Sequence, residues 1–188
     1  MEILETSIPE VLLIRPDYFG DARGWFMETW QQKRYAQIQI PEEFVQDNVS
    51  FSQKGVLRGL HYQHPRGQGK LVQVLQGEVF DVAVDIRVGS PTFGRYTAAQ
   101  LSHENHLQMY IPSGFAHGFC VLSDTALFAY KCTDFYLPEC EGSILWNDPD
   151  LGIPWPLENP ILSAKDSHSV ALRSAPADRL PKYSGDAR

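Results

Sequence analysis

The sequence predicts an all-β protein, an antiparallel sandwich or barrel. Short apolar or alternating segments recur at roughly ten-residue spacing through most of the chain. Clusters of Gly, Pro, Asn and Asp separate them. No alternation of strands with helices argues for a parallel sheet.

Val11–Ile14 reads as the first strand, closed by Pro16-Asp17. Phe19 to Glu28 is a loop or surface hairpin that carries Gly20, Asp21, Arg23 and Gly24 ahead of Trp25 and Phe26. Gln31 to Ile38 holds helix formers for one or two turns. Phe44 to Ser52 alternates, with Gln46, Asn48 and Ser50 on one face and Val45 and Val49 on the other. Leu71–Leu75 and Val79–Ile86 follow as strands, and Gln76-Gly77 between them is a hairpin signal. Phe80, Val82, Val84 and Ile86 form an apolar face opposite Asp81, Ala83 and Asp85. Further strands are expected over Arg95–Leu101, His106–Ile111, Phe115–Leu122 and Ala126–Thr133. The aromatic, turn-rich run from Asn147 to Pro156 is expected to pack over a sheet, and a polar, loosely held tail is expected over residues 173–188. Residues 1–172 then form a single domain.

Composition narrows the function. A chain of 188 residues with 43% apolar and 21% charged side chains folds around a core of good size. Its net charge of −7 argues against nucleic-acid binding, because no basic patch faces a phosphate backbone. No apolar run is long enough to span a bilayer, and no leader pattern opens the chain. Cys120, Cys132 and Cys140 make an odd set without CxxC spacing, which fits a reducing compartment, the cytoplasm.

One stretch carries more chemistry than a structural strand needs. Gly55-Val56-Leu57-Arg58-Gly59-Leu60-His61-Tyr62-Gln63-His64 places a guanidinium, two imidazoles and a phenol among glycines. His61 is a candidate base and Arg58 a candidate anion ligand. Strict alternation sets the two on opposite faces, so one ligand can meet both only at a bulge at Gly59 or at a strand end. The amides of Gln46 and Asn48 can read a planar heterocycle. Two chemistries remain open on these residues. His61 and His117, with His64 and Glu78, could ligate a metal, although the sequence lacks an HxH pair. Without a metal, His61, Tyr130 and Lys70 supply a base, an acid and a cation for moving a proton beside a carbonyl.

Four motifs together resemble the dTDP-4-dehydrorhamnose 3,5-epimerase family. They are Arg58-Gly59-Leu60-His61-Tyr62-Gln63, Gln46-Asp47-Asn48, Pro112 to Phe119 and Trp146 to Asp150, in the family's order within Ile8 to Asp166. The resemblance implies a cupin-type jelly-roll β-barrel with short peripheral helices, and an isomerase that needs neither a metal nor a redox cofactor. It implies a dTDP-linked 4-keto-6-deoxy sugar as substrate, inverted at C3 and C5. His61 would be the base, Asp166 its carboxylate partner, Lys70 the cation at the enolate oxygen and Tyr130 the acid. Arg23, Arg58 and His117 would grip the sugar nucleotide, and Glu28, Gln46, Asp47 and Asn48 the nucleoside. Phe19 and Phe26 would pack near the base, while Glu141 and Lys165 match further substrate positions. The family is also dimeric, with N-terminal residues reaching a neighbour's site. Inversion at C3 alone, a metal-dependent oxygenase and a non-catalytic sugar-binding jelly roll remain as alternatives.

Overall fold

The computed structural model describes residues 1–40 and 43–185. Its strands are β1 Glu2–Leu4, β2 Leu12–Arg15, β3 Tyr18–Asp21, β4 Gly24–Met27, β5 Gln46–Gln53, β6 Leu57–Gln63 and β7 Lys70–Gln76. β8 Glu78–Asp85, β9 Tyr96–Ser102, β10 Gln108–Ile111, β11 Phe115–Val121, β12 Thr125–Cys132 and β13 Glu141–Ser143 follow. Two short helices, α1 Gln32–Ala36 and α2 Ala164–Ser167, lie outside the sheets. A six-stranded sheet in the order β1-β2-β10-β7-β12-β5 faces a five-stranded sheet, β13-β6-β11-β8-β9, while β3 and β4 pair only with each other. The partners in both large sheets run antiparallel, which makes the fold a jelly roll.

Between the two sheets Val72, Val74, Met109 and Phe128 of one meet Val79, Leu101, Phe115 and Phe119 of the other. Burial of side chains this size, at about 25 cal/mol per Å² of apolar area, is the main force closing the barrel. The apolar face of β8 points the other way. Val82 and Val84 pack outside the five-stranded sheet against Ile144, Leu151, Leu172 and Leu180, so the C-terminal third does cover a sheet. The face carrying Asp81 and Asp85 looks into the barrel, and both carboxylates are buried. Asp85 bonds Arg87, Ser90 and Thr92, and Asp81 bonds His117, so neither is buried unpaired.

Two expectations need correction. Gln76-Gly77 is not a hairpin turn, because β7 and β8 belong to opposite sheets. A single residue between strands is too short for a two-residue hairpin loop, so the chain turns a corner instead. Only glycine fits there: φ is +82°, and a Cβ would lie 2.0 Å from the Thr125 carbonyl oxygen. Nor is the segment after Arg173 loose. Val88 N–H donates to the Pro181 carbonyl, Tyr183 N–H donates to the Val88 carbonyl, and Leu180 is buried. Residues 186–188 of that segment lie outside the described residues.

Candidate active site

A register irregularity puts the guanidinium and the imidazole on one face. On β11 His117 and Phe119 are two positions apart, while their partners His61 and Arg58 on β6 are three apart. The extra residue is a bulge at Gly59, where φ is +121° and a Cβ would lie 2.5 Å from the Gly118 Cα. Residues paired across a ladder share a face, and Phe119 and His117 face inward, both rings stacked on Phe128 of the opposite sheet, so Arg58 and His61 lie on that face as well.

The six-stranded sheet supplies the opposite wall as a grid. Lys70, Cys132 and Gln46 stand in one row across β7, β12 and β5, and Val72, Tyr130 and Asn48 stand in the next. Alternation along each strand turns both rows to the same side. The two walls enclose a cavity of about 280 Å³ lined by His61, Gln63 and Glu141 on one side and Lys70, Tyr130, Cys132, Gln46 and Asn48 on the other.

His61 Nε2 lies 2.5 Å from Asp166 Oδ1. Asp166 is only 2% exposed and sits in α2, where the Ser163 hydroxyl donates to Oδ2 over 2.8 Å and accepts from the Asp166 N–H. Burial alone would raise the Asp166 carboxyl, but the hydrogen bond and charge of His61, with help from Ser163, outweigh it and hold the carboxyl below the usual range. An ionised Asp166 assigns the proton to Nε2, which leaves Nδ1 as the ring's acceptor. Burial pushes the Tyr130 phenol up, so it remains a proton donor at neutral pH. Burial also lowers the Lys70 ammonium against the pull of Cys132, Asp81 and Glu141. Among the described residues Lys70 forms no hydrogen bond or ion pair, which leaves its charge available to an oxygen in the cavity.

The other expected site residues are spread from the cavity's edge to the β3–β4 hairpin. Glu141 pairs with Lys165 and accepts from the Tyr136 hydroxyl at 2.9 Å, closing one edge of the cavity. Arg58 is exposed beside the cavity and donates from Nε to Ser52 Oγ at 3.1 Å. His117 is buried in the wall behind, bonded to Asp81 at 2.9 Å; burial pushes its imidazole pKa down against the carboxylate. Asp47 lies on the outer face of β5, paired with Lys131. Phe19, Arg23 and Phe26 project on the β3–β4 hairpin, and Glu28 follows it, paired with Arg34. The structure does not bring these four to the cavity of their own chain. His64 and Glu78 also stay apart from His61: His64 lines a separate recess, and Glu78 bonds Gln100. Sequence reasoning missed Gln63, Gln68, Cys132 and Tyr136 as lining groups. Gln63 was legible, since it follows His61 by two residues on one strand. Tyr136 lies in a loop and left no periodic signal.

A buried carboxylate–imidazole pair facing a phenol and an unpaired ammonium inside a jelly roll defines an acid–base isomerase site. The family model for dTDP-4-dehydrorhamnose 3,5-epimerase matches residues 5–174, and the chain belongs to that family. It is 54% identical over 183 residues to the dTDP-4-dehydrorhamnose 3,5-epimerase of Pseudomonas aeruginosa, covering 96% of this chain and 100% of that one. A Shigella flexneri relative of the same name is 56% identical over 168 residues, with 88% and 93% covered. The chain spans 51% of a Neisseria gonorrhoeae relative. Among solved structures, the Legionella pneumophila dTDP-6-deoxy-D-glucose-3,5-epimerase, in complex with dTDP-4-keto-L-rhamnose, superposes with a TM-score of 0.95 at 58% identity, covering 97% of this chain and 98% of that one.

Proposed function

We propose that this enzyme inverts C3 and C5 of dTDP-4-dehydro-6-deoxy-D-glucose to give dTDP-4-dehydro-L-rhamnose. The observation that carries the reading is the His61–Asp166 pair facing Tyr130 and Lys70 across one cavity. His61 Nδ1 takes the proton from a carbon beside the C4 ketone. The electron pair left on that carbon moves onto the ketone oxygen, giving an enolate held by the Lys70 ammonium. Tyr130 returns a proton to the opposite face, and the configuration inverts. His61 ends protonated and Tyr130 ionised, and exchange with solvent resets both. C3 and C5 both flank C4, so one base and one acid serve each in turn.

Arg58 and His117 grip the diphosphate side, with Glu141 and Lys165 at the cavity's edge. Gln46 and Asn48 read the base from the cavity, Asp47 serving the nucleoside from the outer face. The enzyme works as a homodimer in which Phe19, Arg23, Phe26 and Glu28 complete a neighbour's site. The hairpin's exposure supports this: Phe19 is 66% and Phe26 69% exposed, far from the usual state of two phenylalanines. Its compartment is the cytoplasm, in keeping with three buried, free thiols.

The test is incubation with dTDP-4-keto-6-deoxyglucose in deuterated water, followed by NMR. Deuterium entering at both C3 and C5 with inversion is the expected result. Incorporation at C3 alone would make the enzyme a 3-epimerase, like the Streptomyces niveus relative of that name, 38% identical. No incorporation would leave a binding protein.

A further inference from the structure

The β3–β4 hairpin has two faces with different work. Gly20 stands opposite Trp25, and Tyr18 opposite Met27, so Tyr18 and Trp25 share one face and Phe19 and Phe26 the other. On the first face the Tyr18 and Trp25 rings close on one side chain of the body, His106, at centroid distances of 4.9 Å and 4.6 Å. Among the described residues these are the hairpin's only ring contacts with the rest of the chain.

The loop behind His106 is tightly bonded. Asn105 Oδ1 accepts from the backbone N–H of both Ser102 and Leu107, and the Ser102 hydroxyl oxygen accepts from the Asn105 N–H. His106 itself has φ +56°, a conformation that His and Asn adopt more readily than most residues, and its N–H donates to the Ser102 carbonyl. A rigid turn therefore presents an imidazole between two aromatic rings, a geometry that favours tilted ring contacts.

We propose that His106 is a positioning residue: its ring fixes the hairpin in the pose that offers Phe19, Phe26 and Arg23 to the dTDP-sugar in the site of a second copy. This rests on the dimeric epimerase reading above. His106 touches no substrate in this scheme. It sets the angle of a ribbon that a two-stranded pairing alone does not hold still.

The variant His106→Asn tests this, because asparagine tolerates the backbone conformation and removes only the ring. Steady-state kinetics of the dimeric enzyme on dTDP-4-keto-6-deoxyglucose should show KM raised about fivefold or more with kcat within about twofold, a split that lost ring contacts of this size produce. Amide exchange over residues 18–27 should quicken, and Trp25→Ala, which leaves the Tyr18 contact, should raise KM by no more than His106→Asn does, with the double variant no worse than His106→Asn. An unchanged KM in His106→Asn, or a loss confined to kcat, overturns the proposal. If wild-type enzyme moves no proton on this substrate, the epimerase reading falls and takes the proposal with it, an outcome separate from failure of the variant.

Discussion

The cavity and the hairpin hold their functional side chains in opposite ways. In the cavity His61, Lys70 and Tyr130 sit on inner strands of the large sheets, β6, β7 and β12, their direction set by ladder register and by neighbouring strands on both sides. The base is held by a carboxylate that is itself capped by Ser163. On the hairpin, Arg23 is 90% exposed and, among the described residues, pairs only with Asp21 two residues away, and the Phe19 and Phe26 rings stand in solvent. The groups proposed for the chemistry lie where the sheets fix their placement, whereas the groups proposed to reach a neighbour's substrate lie on a two-stranded ribbon. The two regions should therefore fail differently when altered.

Of the changes that set the two regions apart, removal of the Lys70 ammonium has the largest expected effect. Lys70→Met should lower kcat about a hundred- to a thousandfold, as loss of a charge at a developing oxyanion does, with KM little changed. A KM effect alone would make Lys70 a binding group and blur the contrast. On the hairpin, Arg23→Ala should raise KM about tenfold, the scale of a lost hydrogen bond to a charged group, and leave kcat within about twofold. If KM does not move, the hairpin belongs to no substrate site.

The smallest effect is on stability, and only the interior should show it. Burial depresses the His117 imidazole, so the native state binds fewer protons than the unfolded chain below the ordinary histidine value near 6.5. The stability it contributes is complete above that value and is lost as pH falls through the window beneath it. A single proton sets a limit of about 1.4 kcal/mol per pH unit, or about 3–6 °C in Tm for a chain this size. Melting curves from pH 7 to 5 should slope downward in wild type and flatten in His117→Gln. Asp166 adds a second loss only below the usual carboxylate range, since its carboxyl is held low in the folded state.

The strands were legible because period-two alternation and turn residues mark them locally. Gln46 and Asn48 share their face as that alternation requires, and the helical turn expected near Gln31–Ile38 appears as α1. What alternation cannot say is which face looks inward when both are covered. On β8 the apolar face lies under the C-terminal segment, and the carboxylates face the barrel. The conflict between Arg58 and His61 was visible as a problem of parity, and Gly59 as the place to solve it. The solution itself needed the register against β11. Asp166 reaches His61 across 105 residues, a separation that no local pattern encodes. The segment after Arg173 is polar on average, but it is held by isolated contacts at Leu180, Pro181 and Tyr183 that composition averages away.

The central claim is that His61 and Tyr130 act from opposite walls, one removing protons and the other returning them. Deuterium uptake at C3 and C5, read by NMR alongside product configuration, separates the two roles in a pair of variants. His61→Asn should take up no deuterium at either carbon. Tyr130→Phe should still take up deuterium at C5 and C3, but with configuration largely retained. Uptake at a wild-type rate in His61→Asn, or full inversion in Tyr130→Phe, would contradict the account.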